Sequence, residues 1–427
     1  PLRLPAILTD CSLSLLPKPS KPPTTPAALR PLGLINPLGK ALARLVKQHV
    51  LAQAPSLLTA TQYAYVPGRS TLDAISRVAA HSRSVRAALR STVSTVWTRK
   101  QGRQRTTIAG GAQFALDLRQ AFDRVGRGFL EEALHFCGID HNLIQLILAI
   151  HESHYVLTHH ELTAHIRLGR GLRQGCTLAP VLWACACRLL IHRMEAQLHE
   201  GWALQALTAF ADDFHLQKTL RSRTDLSSFS NQVRICMQVM TTAGMEVNPS
   251  KSQVLIRVRG KSMNKWLRQR TVGPKDAQRL DLGTTGRPLQ VPLVPSINYL
   301  GITVSYDSFE QQTLERRLAC AAAGRRRVAK YLHSHRGLSV KHRLRLYRTV
   351  VTSSLLYGLE TIGLTEAGLD KIRMAENKHI RAIARSPAHI HKEDTAALYR
   401  RLHYTSCLTT LSRQCRTRAN SSPLHPK

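Results

Sequence analysis

Two adjacent aspartates, Asp212 and Asp213, interrupt an apolar alternation in the segment "ALTAFADDFHLQK". Neighbouring carboxylates repel each other, and partial burial among apolar side chains adds a desolvation cost to that repulsion. A third acid, Asp117, ends the strand-like run "AQFALDL". If the two strands are neighbours, the three carboxylates meet at one edge of a sheet. Aspartate is also an ordinary turn residue, so the pair taken alone has a plainer explanation as turn chemistry.

Three carboxylates without histidine or cysteine favour Mg²⁺, a hard cation that binds through a few carboxylates and substrate phosphates. Two such ions, roughly 3.5–4 Å apart, clamp the attacking and leaving oxygens of an in-line phosphoryl displacement. The same ions would offset the repulsion between the carboxylates. The trio therefore predicts metal-assisted phosphoryl transfer, with an apolar hairpin holding the acids in place.

The charge of the chain indicates a polyanionic partner. Lys and Arg number 61 against 26 Asp and Glu, which gives a net charge of +35 over 427 residues. A compact fold with this excess repels itself unless a polyanion lies against it, and nucleic acid is the leading candidate. An anionic membrane surface is the weaker one. No stretch approaches the roughly 18 apolar residues of a membrane span, so we expect no membrane insertion.

Cysteine usage indicates a reducing compartment. The nine cysteines form no CxxC pair, and no signal peptide pattern leads the chain, which predicts a nuclear or cytoplasmic protein that is not secreted. His403, Cys407, Cys415 and His425 could in principle gather around zinc. Their spacing fits no compact zinc pattern, so we expect ordinary structural roles for them.

The order of elements predicts an α+β fold, in which an antiparallel sheet with helices on one face precedes a helical region. Periodicity, caps and turn residues predict an extended, Pro-rich basic segment over 1–35, a helix capped by Asn36 with Pro37 in its first turn, and a helix begun by the Ser70–Asp73 capping box. We expect next a strand at "AQFALDL", two helices over 127–155 broken at Gly138, a short strand at "AHIRL" and a long apolar helix to about His199. After these we expect the Asp-Asp hairpin, a helix over about 225–243, a poorly periodic loop insertion over 259–296, a strand pair or tight hairpin at "INYLGITVS" and basic helices from about 309.

Several segments resemble motifs of a known family. "FALDLRQAFDRV", "GLRQGCTLAPVL", "AFADDF", "GMEVNPSKSQ" and "INYLG" are similar to the successive palm motifs of reverse transcriptases, in the same order. "LLPKPSKPP", "LRPLGLI", "AYVPGRSTLDAI" and "LLYGLET" further resemble the non-LTR, LINE-type retrotransposon branch. The resemblance runs from about residue 10 to 360.

The resemblance implies a right-hand polymerase with fingers, a palm built on the antiparallel sheet, and a helical thumb. It implies fingers and a template-contacting region over 1–110, a palm over 111–305 with some fingers elements inserted, a thumb over 306–370 and a basic helical C-terminal region over 371–427.

The implied activity is that of an RNA-directed DNA polymerase, which extends a DNA 3′ end on an RNA template. Such an enzyme uses dNTPs and two Mg²⁺ ions, for which Mn²⁺ can substitute, and its partners are the RNA template and a DNA primer or target. A group II intron-type reverse transcriptase is the nearest alternative. A viral RNA-dependent RNA polymerase fits less well, and a non-catalytic nucleic-acid-binding remnant is the alternative from another class.

The resemblance also assigns roles to single residues of the catalytic centre. It implies that Asp117 and Asp212 ligate metal, that Asp213 supports the site and the primer end, and that the backbone carbonyl of Leu118 joins the metal shell. Lys251 in "NPSK" is implied as a general acid for the departing pyrophosphate.

The nucleotide-binding and template-binding residues follow in the same way. Phe122 falls where the family places a bulky ring that excludes a 2′-hydroxyl, and Asp123 beside it is expected to cap the following helix. The other residues implied to contact the incoming nucleotide are Lys18, Lys21, Arg30, Gln174 and Gly175. Those implied to contact template or primer are Gly68, Arg69, Arg173 and the primer grip of Tyr299, Leu300 and Gly301.

Overall fold

The computed structural model describes residues 3–18, 22, 24–25, 28–54, 61–91, 101, 109–152, 154–159, 161–284, 288–334 and 337–421. The chain divides into two compact units. Unit 1 consists of Pro1–Ala74 and Thr92–Val294, and unit 2 consists of Ile75–Ser91 and Pro295–Lys427.

The described helices, in chain order, are α1 (Ala6–Thr9), α2 (Pro37–Gln53), α3 (Thr71–Ser91), α4 (Ala121–Arg124), α5 (Arg127–Phe136), α6 (His141–His151), α7 (Ala179–Gln197), α8 (Trp202–Ala206), α9 (Arg223–Thr242), α10 (Lys261–Arg270), α11 (Phe309–Leu332), α12 (Val340–Tyr347), α13 (Ser353–Leu356), α14 (Leu359–Ile362), α15 (Glu366–Ala384), α16 (Ala388–His391), α17 (Thr395–Arg401) and α18 (Cys407–Ser421). A π-helical turn (Arg348–Thr352) joins α12 to α13.

The described strands, in chain order, are β1 (Cys11–Pro17), β2 (Leu29–Ile35), β3 (Gly110–Leu116), β4 (Leu118–Arg119), β5 (His154–His159), β6 (Leu162–Arg167), β7 (Leu207–Phe210), β8 (Asp213–Leu220), β9 (Glu246–Val247), β10 (Gln253–Val258), β11 (Thr271–Val272), β12 (Arg279–Asp281), β13 (Gln290–Pro292), β14 (Ile297–Tyr299) and β15 (Ile302–Val304).

A four-stranded antiparallel sheet in the order β10-β3-β8-β7 forms the centre of unit 1. Nearly every residue of β3 is buried, because both of its edges are paired and α9 packs against β3 and β8. Helix α7 packs against α5 and α9, and its buried residues lie on almost all of its sides. A helix that is apolar all round belongs in a core, so α7 supports the sheet from within the fold.

The Pro-rich N-terminal segment joins a second sheet, in the order β2-β1-β5-β6. β1 pairs antiparallel with β2 and parallel with β5. The extended conformation predicted over 1–35 is found in β1 and β2, whereas Ala6–Thr9 forms the short helix α1. The predicted cap of α2 is also confirmed, because the Asn36 side chain accepts a hydrogen bond from the backbone N–H of Leu38 at 2.9 Å.

The prediction that residues 259–296 form an irregular loop is wrong. This segment contains α10 and the three-stranded sheet β11-β12-β13. Trp266, Leu280 and Val291 are buried in the same hydrophobic core as the central sheet, so the segment packs onto the rest of unit 1. Its strands are two or three residues long, which is too short for an alternating pattern to be visible in the sequence.

In the described part of unit 2, the regular structure is helical apart from the β14–β15 hairpin, as predicted for the region from about 309. It also includes most of α3, which comes much earlier in the chain. His81 of α3 lies 3.1 Å from the Tyr306 hydroxyl, and the Arg86 guanidinium forms an ion pair with Glu310. These contacts fix α3 to residues that follow it by more than two hundred positions.

No helix in the described part of the chain combines the length and the apolar character that a membrane crossing needs.

Candidate active site

The carboxylates of the predicted site lie at one end of the four-stranded sheet. β3 and β8 pair in a register that sets Leu116 opposite Phe214. One further step along both strands brings Asp117 level with Asp213. Asp212 lies in the two-residue turn between β7 and β8, immediately before Asp213. The two strands are therefore neighbours, which is the condition under which the three acids meet.

The segment "NPSK" holds the backbone on the other side of Asp117. The N–H of Asn248 donates to the Asp117 carbonyl at 2.9 Å, and the Asp117 N–H donates to the Ser252 hydroxyl at 3.0 Å. The Ser252 hydroxyl donates to the Asn248 carbonyl at 2.9 Å, which closes the link. Lys251 lies between Asn248 and Ser252 in the sequence and is exposed. The charge of its ammonium lowers the pKa of the Asp117 carboxyl group.

Burial and nearby carboxylates raise the pKa of Asp117 and Asp213. Burial raises the pKa of Asp117 and Asp212 adds to the rise, whereas Lys251 and the Asn248 side chain oppose it. Asp213 as a whole residue is exposed, yet protein atoms crowd its carboxyl group. This desolvation, with the charges of Asp212 and Asp117, raises the pKa of Asp213 to about 6. A cation bound between the carboxylates would relieve this repulsion.

Two residues that the sequence analysis missed, Trp183 and Tyr65, contact this centre. Ala211, the first turn residue, has a φ of +54°, and its carbonyl accepts a hydrogen bond from Trp183 Nε1 at 2.9 Å. The Trp183 ring stacks on Phe122 with centroids 4.8 Å apart, and Tyr65 meets Phe122 edge-on at 6.2 Å. A buried tryptophan usually finds a hydrogen-bond partner for its indole N–H. The presence of Trp183 in an apolar helix was therefore the sequence feature that could have indicated its role.

Three nucleotide-side candidates, Lys18, Phe122 and Gln174, lie around Asp123. The Gln174 side-chain amide donates to both Asp123 carboxylate oxygens, at 3.0 and 3.1 Å. Burial raises the pKa of Asp123, while Gln174 and the Lys18 ammonium lower it. The expected capping role of Asp123 is wrong, because α5 begins after Gly126 without a side-chain cap. Asp123 instead orients Gln174.

A sequence profile described as "Reverse transcriptase (RNA-dependent DNA polymerase)" matches residues 16–304. The match covers more than half of the chain and includes all three carboxylates. The chain belongs to the reverse transcriptase family.

A curated relative, the "Probable RNA-directed DNA polymerase from transposon X-element" of Drosophila melanogaster, is 23% identical over 388 residues. The alignment covers 87% of this reverse transcriptase chain and 37% of the relative, so the chain spans little more than a third of that protein. Among solved structures, apo telomerase from Candida tropicalis is similar with a TM-score of 0.47 and 12% identity, covering 95% of this chain and 62% of that one. Telomerase from Candida albicans, in complex with a fragment of telomeric RNA, has a TM-score of 0.41 and 11% identity, covering 99% and 67%.

The remaining nucleotide-side candidates of the reverse transcriptase are spread along the N-terminal segment and the loop before α7. Gly175 has a φ of +103°, and an added Cβ would lie 2.6 Å from the Gly33 carbonyl oxygen. A glycine is therefore required there by the approach of β2. Arg30 is exposed on β2, opposite Leu16 of β1. Lys21 lies outside the described residues.

The structure does not support the predicted contact of Arg173 with the template. Arg173 was expected to contact the template, but its side chain is buried, with the residue 1% exposed, and its guanidinium donates to the Thr9 carbonyl. A buried side chain that donates a hydrogen bond to a backbone carbonyl has a structural role within unit 1. It does not present its charge to a nucleic acid at the surface.

The other template and primer candidates lie in turns. Gly68 has a φ of +77°, and the neighbouring Arg69 guanidinium donates to the Gln62 carbonyl of the same segment. Tyr299 pairs with Ile302 across a tight turn in unit 2 formed by Leu300 and Gly301, whose φ values are +42° and +85°. The predicted tight turn of the primer grip is thus confirmed, while the contact with primer stays a prediction.

Within the described ranges, no group of three or more His, Cys, Asp or Glu side chains is placed to hold a metal ion by itself. Asp117, Asp212 and Asp213 are close enough to affect one another's charge without enclosing a cation by themselves. Of the weak zinc candidates, Cys407 is buried with its N–H donating to Glu376 at 2.8 Å, and His425 lies outside the described residues.

Replacement of Arg173 by Met should destabilise unit 1 by about 2–3 kcal/mol, because the Thr9 carbonyl loses a charged, buried donor. Urea denaturation measures this change. Arg170→Met is the matched control, since Arg170 is exposed in the same loop, and it should change stability by less than about 0.5 kcal/mol. Unchanged stability combined with weakened template binding in Arg173→Met would instead support the prediction that Arg173 contacts the template.

Asp213→Asn should stabilise the reverse transcriptase when divalent metal is chelated. The folded state holds the Asp213 proton more tightly than the unfolded chain, whose aspartates titrate near 3.8. Wild-type stability therefore falls as pH rises from about 4 through about 6. After allowance for solvent screening, we expect a gain of about 1 kcal/mol for the variant at pH 7.5.

The measurement is thermal unfolding of both proteins in EDTA from pH 4 to pH 8. The advantage of Asp213→Asn should disappear below about pH 4. The exposed Glu200→Gln serves as the control for loss of one negative charge. An advantage that does not change with pH would contradict the raised pKa.

Proposed function

We propose that this chain is the polymerase core of a non-LTR retrotransposon reverse transcriptase, which extends a DNA 3′ end on an RNA template. The observation that carries the proposal is the alignment of Asp117, Asp212 and Asp213 at one end of the β3–β8 sheet, in a chain of this family. The curated transposon relative supports the element-type enzyme over the group II intron type.

The three aspartates suit Mg²⁺, or Mn²⁺ in its place, because all of their donors are hard oxygens. Asp117 and Asp212 would hold the ions, with the Leu118 carbonyl and Asp213 completing the protein ligands. The raised pKa values of Asp117 and Asp213 fit a site that is complete only with cations. Two such ions supply charge stabilisation to the attacking and leaving oxygens of the displacement.

In the proposed reaction, the 3′-hydroxyl oxygen of the primer bonds to the α-phosphorus of a dNTP as the bond to pyrophosphate breaks. The hydroxyl proton leaves to solvent, and the Lys251 ammonium donates a proton to the departing pyrophosphate. The link from Asn248 and Ser252 to Asp117 supports this role, since it holds the loop that carries Lys251 beside the carboxylates.

On the nucleotide side, we propose that Phe122 lies under the sugar and Gln174 against the incoming base pair, with Gly175 beside it. Asp123 holds the Gln174 amide, so the amide is oriented before the nucleotide arrives. Lys18, Lys21 and Arg30 would neutralise the triphosphate. Lys18 is supported by its effect on Asp123, which places its charge near this pocket.

Nucleic acid would contact Gly68 and Arg69 on the template path and Tyr299–Gly301 at the primer backbone. We propose residues 1–110 as fingers, 111–305 as palm, 306–370 as thumb and 371–427 as a basic C-terminal region. The partners would be RNA template, DNA primer or target, and dNTPs, in the nucleus or cytoplasm.

A basic groove in unit 2 supports a nucleic-acid-binding role for the helical region. A cavity of about 690 Å³ lies between α12 and the end of α17, with Lys341, Arg345 and Arg348 on one side and Arg401 and His403 on the other. The three α12-side cations follow one another at helical spacing. Arg and Lys contacts to phosphates position nucleic acid without reading its sequence, which suits a polymerase.

Asp212→Asn should reduce primer extension on an RNA template by at least about a thousandfold, because it removes a metal ligand and several kcal/mol of transition-state stabilisation. Affinity for RNA should stay within about twofold, since Asp212 contacts no phosphate directly. Asp276→Asn, at an exposed aspartate of unit 1, is the control and should extend primers normally. Near-normal extension by Asp212→Asn would refute the proposed function.

Lys341→Ala combined with Arg345→Ala should weaken binding to an RNA–DNA duplex and make it less dependent on salt. Each lost phosphate contact lowers the slope of log affinity against log salt by about 0.9, so the pair should lower it by about 1.8. Lys371→Ala with Lys378→Ala removes the same charge from exposed positions on α15, outside the groove. Equal slopes for the two double variants would mean that the groove is not a binding surface.

Phe122→Val should raise ribonucleotide use relative to deoxynucleotide use by roughly tenfold, because a smaller side chain leaves room for a 2′-hydroxyl. The measurement is the ratio of kcat/KM for a dNTP and its rNTP in wild type and variant. An equal loss with both substrates would instead identify Phe122 as a core residue.

A further inference from the structure

Phe122 contacts two other aromatic rings. Trp183 stacks on one face at 4.8 Å between centroids with 21° between planes, and Tyr65 meets it at 6.2 Å with planes at 90°. Both arrangements are favoured geometries for aromatic pairs. The ring that would exclude the 2′-hydroxyl therefore packs against two aromatic neighbours.

Tyr65 reaches Phe122 through an unfavourable backbone conformation. Gln62 pairs in parallel with Ala209 of β7, and the Tyr63 N–H donates to the Ala209 carbonyl at 2.9 Å. Tyr65 follows three residues after Gln62, in a turn. Tyr65 has a φ of +62°, which a bulky residue rarely adopts, and its side chain is partly exposed. Strain of this kind is concentrated at functional sites.

Trp183 connects the ring cluster to the catalytic turn. It is fully buried in α7, and its indole N–H donates to the Ala211 carbonyl, one residue before Asp212. Ala211 also has a positive φ, so this hydrogen bond stabilises an unfavourable turn conformation. One side chain thus supports both the Phe122 ring and the backbone that presents Asp212.

We propose that Tyr65 is a sugar-specificity residue and Trp183 a positioning residue, which together clamp Phe122 and tie it to the Asp212 turn. The inference rests on the proposed polymerase function and goes beyond it. A steric gate discriminates only while its ring cannot rotate away from the sugar. Contacts with the exposed Tyr65 and the buried Trp183 would restrict that rotation.

The clamp predicts different effects for the two residues. Tyr65→Asn removes the ring while tolerating the left-handed backbone, and it should lower the dNTP-to-rNTP ratio of kcat/KM about fivefold. Tyr65→Phe keeps the ring and should keep the ratio. Trp183→Phe keeps a stacking ring but loses the N–H, so it should reduce both rates about tenfold and leave the ratio unchanged.

The experiment measures the ratio by RNA-templated single-nucleotide extension in wild type, Tyr65→Asn, Tyr65→Phe, Trp183→Phe and Phe122→Val. Equilibrium binding of dNTP and rNTP to a complex with a dideoxy-terminated primer gives the same comparison without turnover. Tyr63→Ala is the matched control, since it removes a ring from the same segment that contacts Arg69 and not Phe122. Thermal unfolding establishes that each variant is folded.

A fall in the ratio for Tyr65→Asn, with Tyr65→Phe and Tyr63→Ala unchanged, would support the clamp. A wild-type ratio in Tyr65→Asn, alongside an altered ratio in Phe122→Val, would overturn the clamp and leave the polymerase function intact. Wild-type protein that extends no primer would overturn the proposed function and the clamp together. If Tyr65→Asn is unfolded, Tyr65→Gly replaces it, because glycine adopts this φ without strain.

Discussion

Repulsion among three carboxylates at one end of an antiparallel sheet is the constraint on which unit 1 depends. Asp117, Asp212 and Asp213 come together because β3 pairs with β8 and because the β7–β8 turn is only two residues long. Left to themselves the side chains would separate, and burial together with the charges of Asp212 and Asp117 raises the pKa of Asp213. The surrounding elements must therefore be rigid enough to keep the charges together until cations and substrate neutralise them.

That rigidity comes from backbone links on both sides of the sheet end. The Asn248–Ser252 segment is hydrogen-bonded to Asp117, and Trp183 is hydrogen-bonded to the turn at Ala211. Each link comes from an element that is distant in sequence and has its own place in the core. A change in α7 or in the "NPSK" loop would therefore reach the carboxylates without touching them, and activity alone would not distinguish it from loss of a ligand.

The parts that could be predicted from the sequence are those determined by neighbours along the chain. The β7–β8 hairpin, the cap at Asn36 and the helix break at Gly138 follow from local residue types. Arg173 could not be read in this way, because its burial depends on the carbonyl of Thr9, which lies far away in the sequence. The contacts of Tyr65 and Trp183 with Phe122 are equally long-range, and a motif gives the residue type without its neighbours in space.

The position of α3 has a consequence for biosynthesis. This helix is made before most of unit 1, yet its partners Tyr306 and Glu310 come after unit 1 is complete. At ribosomal rates of about 5–20 residues per second, α3 waits on the order of ten to forty seconds for them. During that time its apolar side chains Ile75, Val78 and Val85, all buried in the finished unit, have no native cover. Nascent chains of this protein therefore carry an apolar helix face that stays uncovered until residues 295 onward have been made.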